Sequence, residues 1–130
     1  MTYIITFASS KGGSGKSTFC VNLAAYFGMR GRNVTILDTD FQKSSHDWVR
    51  ESSDKCLANV QTYVANEENS IRQYIKQSRC DILCVDSQGA VSRKGLYEVS
   101  KILISDRFAQ HVQCHGANEY CKNTAQFCSV

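Results

Sequence analysis

Membrane-spanning and secretory signals are missing from this 130-residue sequence. No apolar run approaches the length needed to cross a bilayer. The amino terminus also lacks the basic flank, apolar segment and cleavage site of a secretory signal peptide. The seven cysteines are an odd number scattered along the chain, which fits a reducing compartment better than a disulfide framework. We therefore expect a cytoplasmic protein with no membrane partner.

The sequence also lacks a large net charge and a recognisable zinc-binding pattern. The formal net charge of +3 is too small to indicate nucleic-acid binding by itself. The cysteines and histidines near the carboxyl end match neither C-x₂-C pairs nor the H-x₃₋₅-H pair of a zinc finger. A hydrophobic content of 42% with 21% charged residues indicates one globular domain instead of a disordered chain.

Strand and helix patterns alternate along most of the sequence. Apolar runs predict strands at residues 3–8, 33–37, 60–64, 81–85 and 102–104. Helical patterns lie between them, at 16–30, after a cap at Ser44 or Ser45, from Asn66, and at 92–101. This alternation predicts an α/β fold, with a mostly parallel sheet and helices on its faces.

A glycine-rich loop lies between the first predicted strand and the first predicted helix. It reads Ser10-Lys11-Gly12-Gly13-Ser14-Gly15-Lys16-Ser17-Thr18. Its glycines permit positive φ, so successive N–H groups can point at phosphate oxygens, and the helix adds the positive end of its dipole. Because a P-loop requires this strand–loop–helix context, we expect the loop to bind a nucleotide. The alternative is an ordinary turn that precedes a helix.

The polar side chains of this loop have expected partners on a nucleotide. The Lys16 ammonium would lie across the β- and γ-phosphates, the Ser17 hydroxyl would ligate Mg²⁺, and the Thr18 hydroxyl would reach the α-phosphate. The complete set of predicted phosphate-binding residues is Lys11, Gly12, Gly13, Ser14, Gly15, Lys16, Ser17 and Thr18.

Acidic residues end two of the predicted strands. Asp38 follows the strand at 33–37, Asp86 follows the strand at 81–85, and Asp40 lies just beyond Asp38. Ligands gather at the carboxyl edge of an open parallel sheet, so these acids could converge on the glycine-rich loop. The alternatives are that Asp86 caps the next turn and that the other two acids form a solvated turn.

These motifs resemble those of ParA/MinD-type ATPases, whose deviant Walker A loop reads K-G-G-x-G-K-[ST]. Lys11 is the second lysine that marks this subclass, and Ser10 stands where the general P-loop has glycine. The segment LDTDFQKS at 37–44 resembles the switch I motif D-x-D-P-Q-x-S, and Asp86 resembles a Walker B aspartate. The resemblance covers residues 2–105 and implies a P-loop NTPase fold with three α/β/α layers. It favours plasmid partition and T-DNA-associated relatives.

The resemblance also implies a role for each motif residue. Lys11 would reach the phosphates bound by the partner subunit of an ATP-dependent homodimer. Asp40 would position the attacking water, and Lys16 would complete the catalytic set. The implied metal-binding residues are Ser17, Asp38 in the outer shell, and Asp86 through a water. ATP and Mg²⁺ are therefore the expected ligands.

Three kinds of function are compatible with this resemblance. The first is an ATPase that segregates plasmid or chromosomal DNA, with a centromere-binding adaptor protein and non-specific DNA as partners. The second is a nucleotide-binding remnant without hydrolysis or DNA binding. The third is another branch, such as a MinD-like positioning ATPase, which needs a basic amphipathic helix that residues 106–130 do not supply. We favour the first.

The absence of proline is a departure from the family pattern. Phe41 stands where the switch I motif has proline, and Gln88 and Ser105 replace two further prolines. Because proline fixes φ and restricts its neighbour, its loss would loosen the loop that holds Asp40. The resemblance fades after residue 105. We expect 1–105 to be the amino-terminal part of a shortened ATPase domain and 106–130 to be a divergent tail, out of frame or disordered.

Overall fold

The computed structural model describes residues 1–8, 13–87, 102–105 and 113–114, and all structural statements concern these. The strands are β1 Tyr3–Ala8, β2 Val34–Asp38, β3 Val60–Val64, β4 Ile82–Asp86, β5 Ile102–Ser105 and β6 Gln113–Cys114. The helices are α1 Lys16–Gly28, α2 Ser44–Glu51 and α3 Glu68–Gln77, with a short 3₁₀ turn at Lys55–Leu57.

The described strands form one sheet in the order β3-β2-β4-β1-β5-β6. The pairs among β1 to β5 are parallel, and β6 pairs antiparallel with β5. β1 therefore lies between β4 and β5. Strands β2, β3 and β4 lie on one side of β1, and the later strands β5 and β6 lie on the other, so the strand order reverses direction at β1. In open α/β sheets, such a switch point is where ligands bind.

Helices cover both faces of the sheet, because successive strand residues point to opposite sides. On one face, the buried residues Cys20, Val21 and Ala24 of α1 join a core cluster with Phe7 and Ile36. On the other face, the apolar side of α3 packs into a second core cluster. Helix α3 contributes Ile71, Tyr74 and Ile75 to this cluster, and the strands contribute Ile4, Leu37, Leu83 and Val85. Complete burial of each Leu, Ile or Phe contributes about 1.5–3 kcal/mol. The predicted three-layer α/β fold is confirmed.

The element ends differ slightly from the prediction. Helix α1 ends at Gly28 instead of Arg30. Gly31 then adopts a φ of 74°, and the Arg32 amide donates to the Phe27 carbonyl at 3.2 Å, which closes the helix end. The helix predicted at 92–101 lies outside the described residues. Within the described residues, no helix has the length and apolar character needed to span a bilayer.

The strand register brings three loops to one edge of the sheet. Asp86 at the end of β4 is the register partner of Asp38 in β2 and of Phe7 in β1. The segments that follow β1, β2 and β4 therefore leave the sheet side by side. This edge holds all the predicted site residues that the structure describes.

Candidate functional site

The glycine-rich loop enters α1 through left-handed backbone. Gly13 and Gly15 have φ values of 71° and 79°, where a residue with a side chain is strained. The Gly15 carbonyl accepts the Phe19 amide at 2.9 Å, so the helix begins immediately after this glycine. Gly15 offers no side chain as a cap, and the first turn of α1 carries no acid. The positive end of the helix dipole is therefore not neutralised by its own first turn.

The predicted phosphate-binding residues fall into three groups. Gly13, Ser14 and Gly15 form an exposed turn. Lys16 and Ser17 are half-buried at the start of α1, and the next residue, Thr18, is exposed. Lys11 and Gly12 lie outside the described residues.

Asp86 is a buried acid beside the start of α1. Its side chain is 2% exposed, and its Oδ2 atom has no hydrogen-bond partner among the described residues. Burial raises the pKa of the Asp86 carboxyl, and the nearby Asp38 carboxylate raises it further. Hydrogen bonding from Ser17 and Ser45 and the charge of Lys16 lower this pKa. The fold therefore brings Lys16 and Ser17 into the electrostatic surroundings of Asp86.

Asp38 is fully buried, and four hydrogen bonds hold its carboxylate. Its Oδ1 atom accepts the Asp40 amide at 2.9 Å. Its Oδ2 atom accepts the Ser45 amide at 3.1 Å, the Ser45 hydroxyl at 2.6 Å and the His46 amide at 3.0 Å. Ser45 and His46 lie in the first turn of α2, so the last residue of β2 caps this helix from a distance.

This arrangement corrects the prediction that Ser44 or Ser45 caps α2 with its side chain. The residue before the helix is Lys43, which makes no side-chain cap and has a φ of 51°. Left-handed backbone costs a residue such as lysine roughly 1–2 kcal/mol. The carboxylate of Asp38 takes the place of the missing local cap, because it accepts two amides of the first helical turn.

The loop between β2 and α2 carries Asp40 and Phe41. Asp40 is half-buried, and its Oδ1 atom accepts the Gln42 amide at 3.0 Å. The Asp40 carbonyl accepts the Lys43 amide at 3.1 Å. Phe41, which stands in the place of the family's proline, is 68% exposed. We expected the loss of proline to loosen this loop. The structure instead shows a compact turn whose two ends both hydrogen-bond to the Asp38 carboxylate.

Three polar residues that organise this edge have roles that the sequence does not predict. Thr39 donates both its amide and its hydroxyl to the Asp86 carbonyl, at 2.9 and 3.0 Å. Ser87 donates its amide and hydroxyl to the Phe7 carbonyl, at 3.0 and 2.7 Å. Ser45, the third, is completely buried against Asp38. Thr39 and Ser87 directly follow strand ends, and Ser45 lies in the first turn of α2. No local pattern distinguishes these residues from a surface serine or threonine.

The donors at this edge fit a magnesium ion that is bound together with a nucleotide. Mg²⁺ prefers oxygen ligands, keeps several waters, and takes one or two carboxylates in addition to phosphate oxygens. The unpaired Oδ2 atom of Asp86 and the nearby Ser17 hydroxyl are oxygen donors of this kind. No cluster of three or more His, Cys, Asp or Glu residues suited to a metal occurs in the described ranges. A P-loop magnesium site needs none, because phosphates supply the remaining ligands.

Comparisons with known proteins agree with this geometry. The profile of the CobQ/CobB/MinD/ParA nucleotide binding domain matches residues 5–103. ParA of Rhizobium radiobacter is 36% identical over 92 residues, which are 69% of this chain and 40% of ParA. The iron-sulfur cluster carrier protein of Mycobacterium tuberculosis is 47% identical over 45 residues, which are 35% of this chain and 12% of that protein.

A solved structure shares the fold. The septum site-determining protein MinD of Pyrococcus horikoshii, complexed with Mg-ADP, superimposes with a TM-score of 0.56 at 19% identity, over 81% of this chain and 57% of MinD. The chain thus spans about half of MinD and less than half of ParA. The glycine-rich loop, the acid-terminated strands and the family match together show that this chain belongs to the CobQ/CobB/MinD/ParA nucleotide-binding domain family, the ParA/MinD-type P-loop ATPases.

Proposed function

We propose that this protein binds ATP with Mg²⁺ and hydrolyses it as a ParA-like ATPase in plasmid or chromosome segregation. The observation that carries the proposal is the meeting of two features at one edge of the sheet. The uncapped start of α1 lies beside the buried carboxylate of Asp86, whose Oδ2 atom has no hydrogen-bond partner among the described residues. The first feature suits a phosphate group and the second suits the cation that accompanies it.

In this proposal, the loop and α1 bind the triphosphate. The backbone N–H groups from Gly13 onward and the Lys16 ammonium contact phosphate oxygens, and the Thr18 hydroxyl contacts the α-phosphate. Ser17 and, through a water, Asp86 hold Mg²⁺, with Asp38 behind them. The bound ion neutralises charge that develops on the phosphates during transfer.

Hydrolysis requires a water in line with the γ-phosphate. We assign its orientation to Asp40, which lies on the loop anchored by Asp38. Lys11 would supply positive charge to the phosphates of a partner subunit, in the manner of an arginine finger. The active unit is therefore a homodimer, the assembly that members of the ParA/MinD family commonly form.

The segregation role is supported by the 36% identity to ParA, a longer protein of which this chain spans 40%. By this analogy, the partners are a centromere-binding adaptor protein and non-specific DNA, and the protein acts in the cytoplasm. The small net charge of +3 does not by itself indicate DNA binding, and by the same analogy ATP-dependent dimerisation would switch it on.

A second candidate function is nucleotide binding without hydrolysis. The observation that favours it is the hydrogen bond from the Gln42 amide to the Asp40 Oδ1 atom, because this bond engages one of the two oxygens that would orient the attacking water.

The two functions are separated by measuring ATP binding and phosphate release, with and without DNA. We expect wild type to bind ATP and to release phosphate faster with DNA. Lys16→Ala should lose binding, and Asp40→Ala should bind without turnover. Lys55→Ala, at an exposed lysine of the 3₁₀ turn, is the matched control and should behave as wild type. ATP binding without DNA-stimulated turnover in wild type would favour the second candidate.

A further inference from the structure

The loop of residues 39–44 is held at both ends by one carboxylate. At the beginning of this loop, the Asp40 amide donates to Asp38 Oδ1 at 2.9 Å. Just after its end, the Ser45 amide, the Ser45 hydroxyl and the His46 amide donate to Asp38 Oδ2. The position of Asp40 therefore depends on how firmly Asp38 is held.

Ser45 supplies the one side-chain donor among these four bonds. Its hydroxyl lies 2.6 Å from Asp38 Oδ2, which is the short distance typical of a charge-assisted bond. The residue is completely buried, so water cannot replace this donor without a rearrangement. The neighbouring Ser44 is exposed, which makes it a matched comparison on the same helix turn.

Ser45 also lies close to the proposed cation site. Asp38 and Asp86 are register partners at the ends of β2 and β4, so the carboxylate that Ser45 holds lies beside the acid of the proposed cation site. The hydroxyl has a single proton, which it donates to Asp38. A change at this position therefore acts on the Asp38 carboxylate and, through it, on the loop beside the cation site.

We propose that Ser45 is a positioning residue: its hydroxyl holds the Asp38 carboxylate so that the 39–44 loop keeps Asp40 in one place. Its effect on turnover rests on the proposed ATP hydrolysis, whereas its effect on the loop does not. In this chain, a side-chain hydrogen bond performs the restraint that proline would perform at position 41. Ser45 acts through Asp38 and makes no contact with substrate.

The first test follows amide hydrogen exchange of residues 39–46 in the nucleotide-free protein. We expect exchange in Ser45→Ala to be roughly tenfold faster than in wild type, because the loss of a charge-assisted bond makes local opening easier. Ser45→Thr, which keeps the hydroxyl, should restore slow exchange, and Ser44→Ala should leave it unchanged. Equal exchange in Ser45→Ala and wild type would overturn the proposal. If Ser45→Ala does not fold, Ser45→Cys keeps the volume with a weaker donor, and wild-type exchange in this variant would also overturn it.

The second test separates ATP affinity from turnover. We expect kcat of Ser45→Ala to fall roughly tenfold with Kd for Mg-ATP within about twofold of wild type, since the P-loop is unchanged. Lost affinity with unchanged kcat would contradict a positioning role. If wild type binds ATP but shows no turnover, the proposed hydrolysis fails while the exchange experiment still decides the role of Ser45.

Discussion

Asp86 carries an unfavourable charge when no cation is present. The side chain is buried, one of its oxygens has no partner among the described residues, and the Asp38 carboxylate lies nearby. A buried charge without full compensation costs stability. Functional sites commonly retain such groups, because the arrangement becomes favourable once a ligand binds.

The substitution Asp86→Asn should therefore stabilise the nucleotide-free protein at neutral pH. Burial raises the pKa of Asp86, so the folded state of wild type holds this proton more tightly than the unfolded chain. Wild-type stability should fall as pH rises from about 4, the ordinary carboxyl range, through the raised pKa. The Asp86→Asn variant has no carboxyl group to ionise at this position, so its stability does not fall in this way. Its free energy of unfolding at pH 7 should exceed that of wild type by about 1–3 kcal/mol.

Urea unfolding between pH 4 and pH 8, with a chelator present, measures this difference. Glu51→Gln, at an exposed acid that ends α2, serves as the control and should follow wild type to within about 0.5 kcal/mol. The same Asp86→Asn protein should bind Mg-ATP more weakly than wild type. A variant that is less stable than wild type over the whole pH range would contradict the electrostatic account.

At the scale of secondary-structure elements, α2 depends on a residue outside itself. Its amino-terminal amides bond to Asp38, which ends β2. Hydrogen bonds to a charged acceptor contribute about 1.5–3 kcal/mol each. The helix is eight residues long and carries no local side-chain cap, so it has little stability of its own.

We expect Asp38→Asn to lower the free energy of unfolding by about 2–4 kcal/mol, because a neutral amide accepts fewer and weaker bonds from the four donors. Trp48 is the single tryptophan of the chain and lies on α2, so its fluorescence during urea unfolding follows this helix directly. Glu51→Gln is again the control. A change below about 0.5 kcal/mol, the range of ordinary surface substitutions, would show that Asp38 does not anchor the helix.

The elements that the sequence predicted well are those with a local signal. Strand β3 was predicted at its observed bounds, and β2 and β4 to within one residue at each end, because short apolar runs between polar residues mark a buried strand. The cap of α2 has no local signal, since Asp38 lies seven residues before Ser45. Strand β6, in the segment predicted as a divergent tail, has two residues, too few for any periodicity.

The candidate site shows the same division between local and non-local information. The glycine-rich loop and the acids at strand ends could be identified from the sequence, because their chemistry is local. Their convergence also follows from a parallel sheet, in which strand ends share an edge. The roles of Thr39, Ser45 and Ser87 could not be predicted, because each bonds to a residue that only the folded chain brings near.

At the scale of the whole molecule, the proposed mechanism requires two subunits. In that mechanism Lys11 would act on the phosphates of a partner subunit, and this chain spans 40% of the length of ParA. We expect sedimentation velocity to show a monomer with ADP and a dimer with ATP and Mg²⁺ when hydrolysis is blocked by Asp40→Ala. Lys11→Ala should weaken the dimer, whereas Lys55→Ala should not. A monomer under every condition would contradict hydrolysis by a dimer.

The central claim is that the loop after β1 and the acid that ends β4 together bind Mg-ATP. Calorimetric titration of wild type, Lys16→Ala and Asp86→Asn with ATP, with and without Mg²⁺, tests it most directly. The account predicts magnesium-dependent binding by wild type, no measurable binding by Lys16→Ala, and binding by Asp86→Asn that no longer gains from Mg²⁺. Equal affinity in all three proteins, or no binding by wild type, would contradict it.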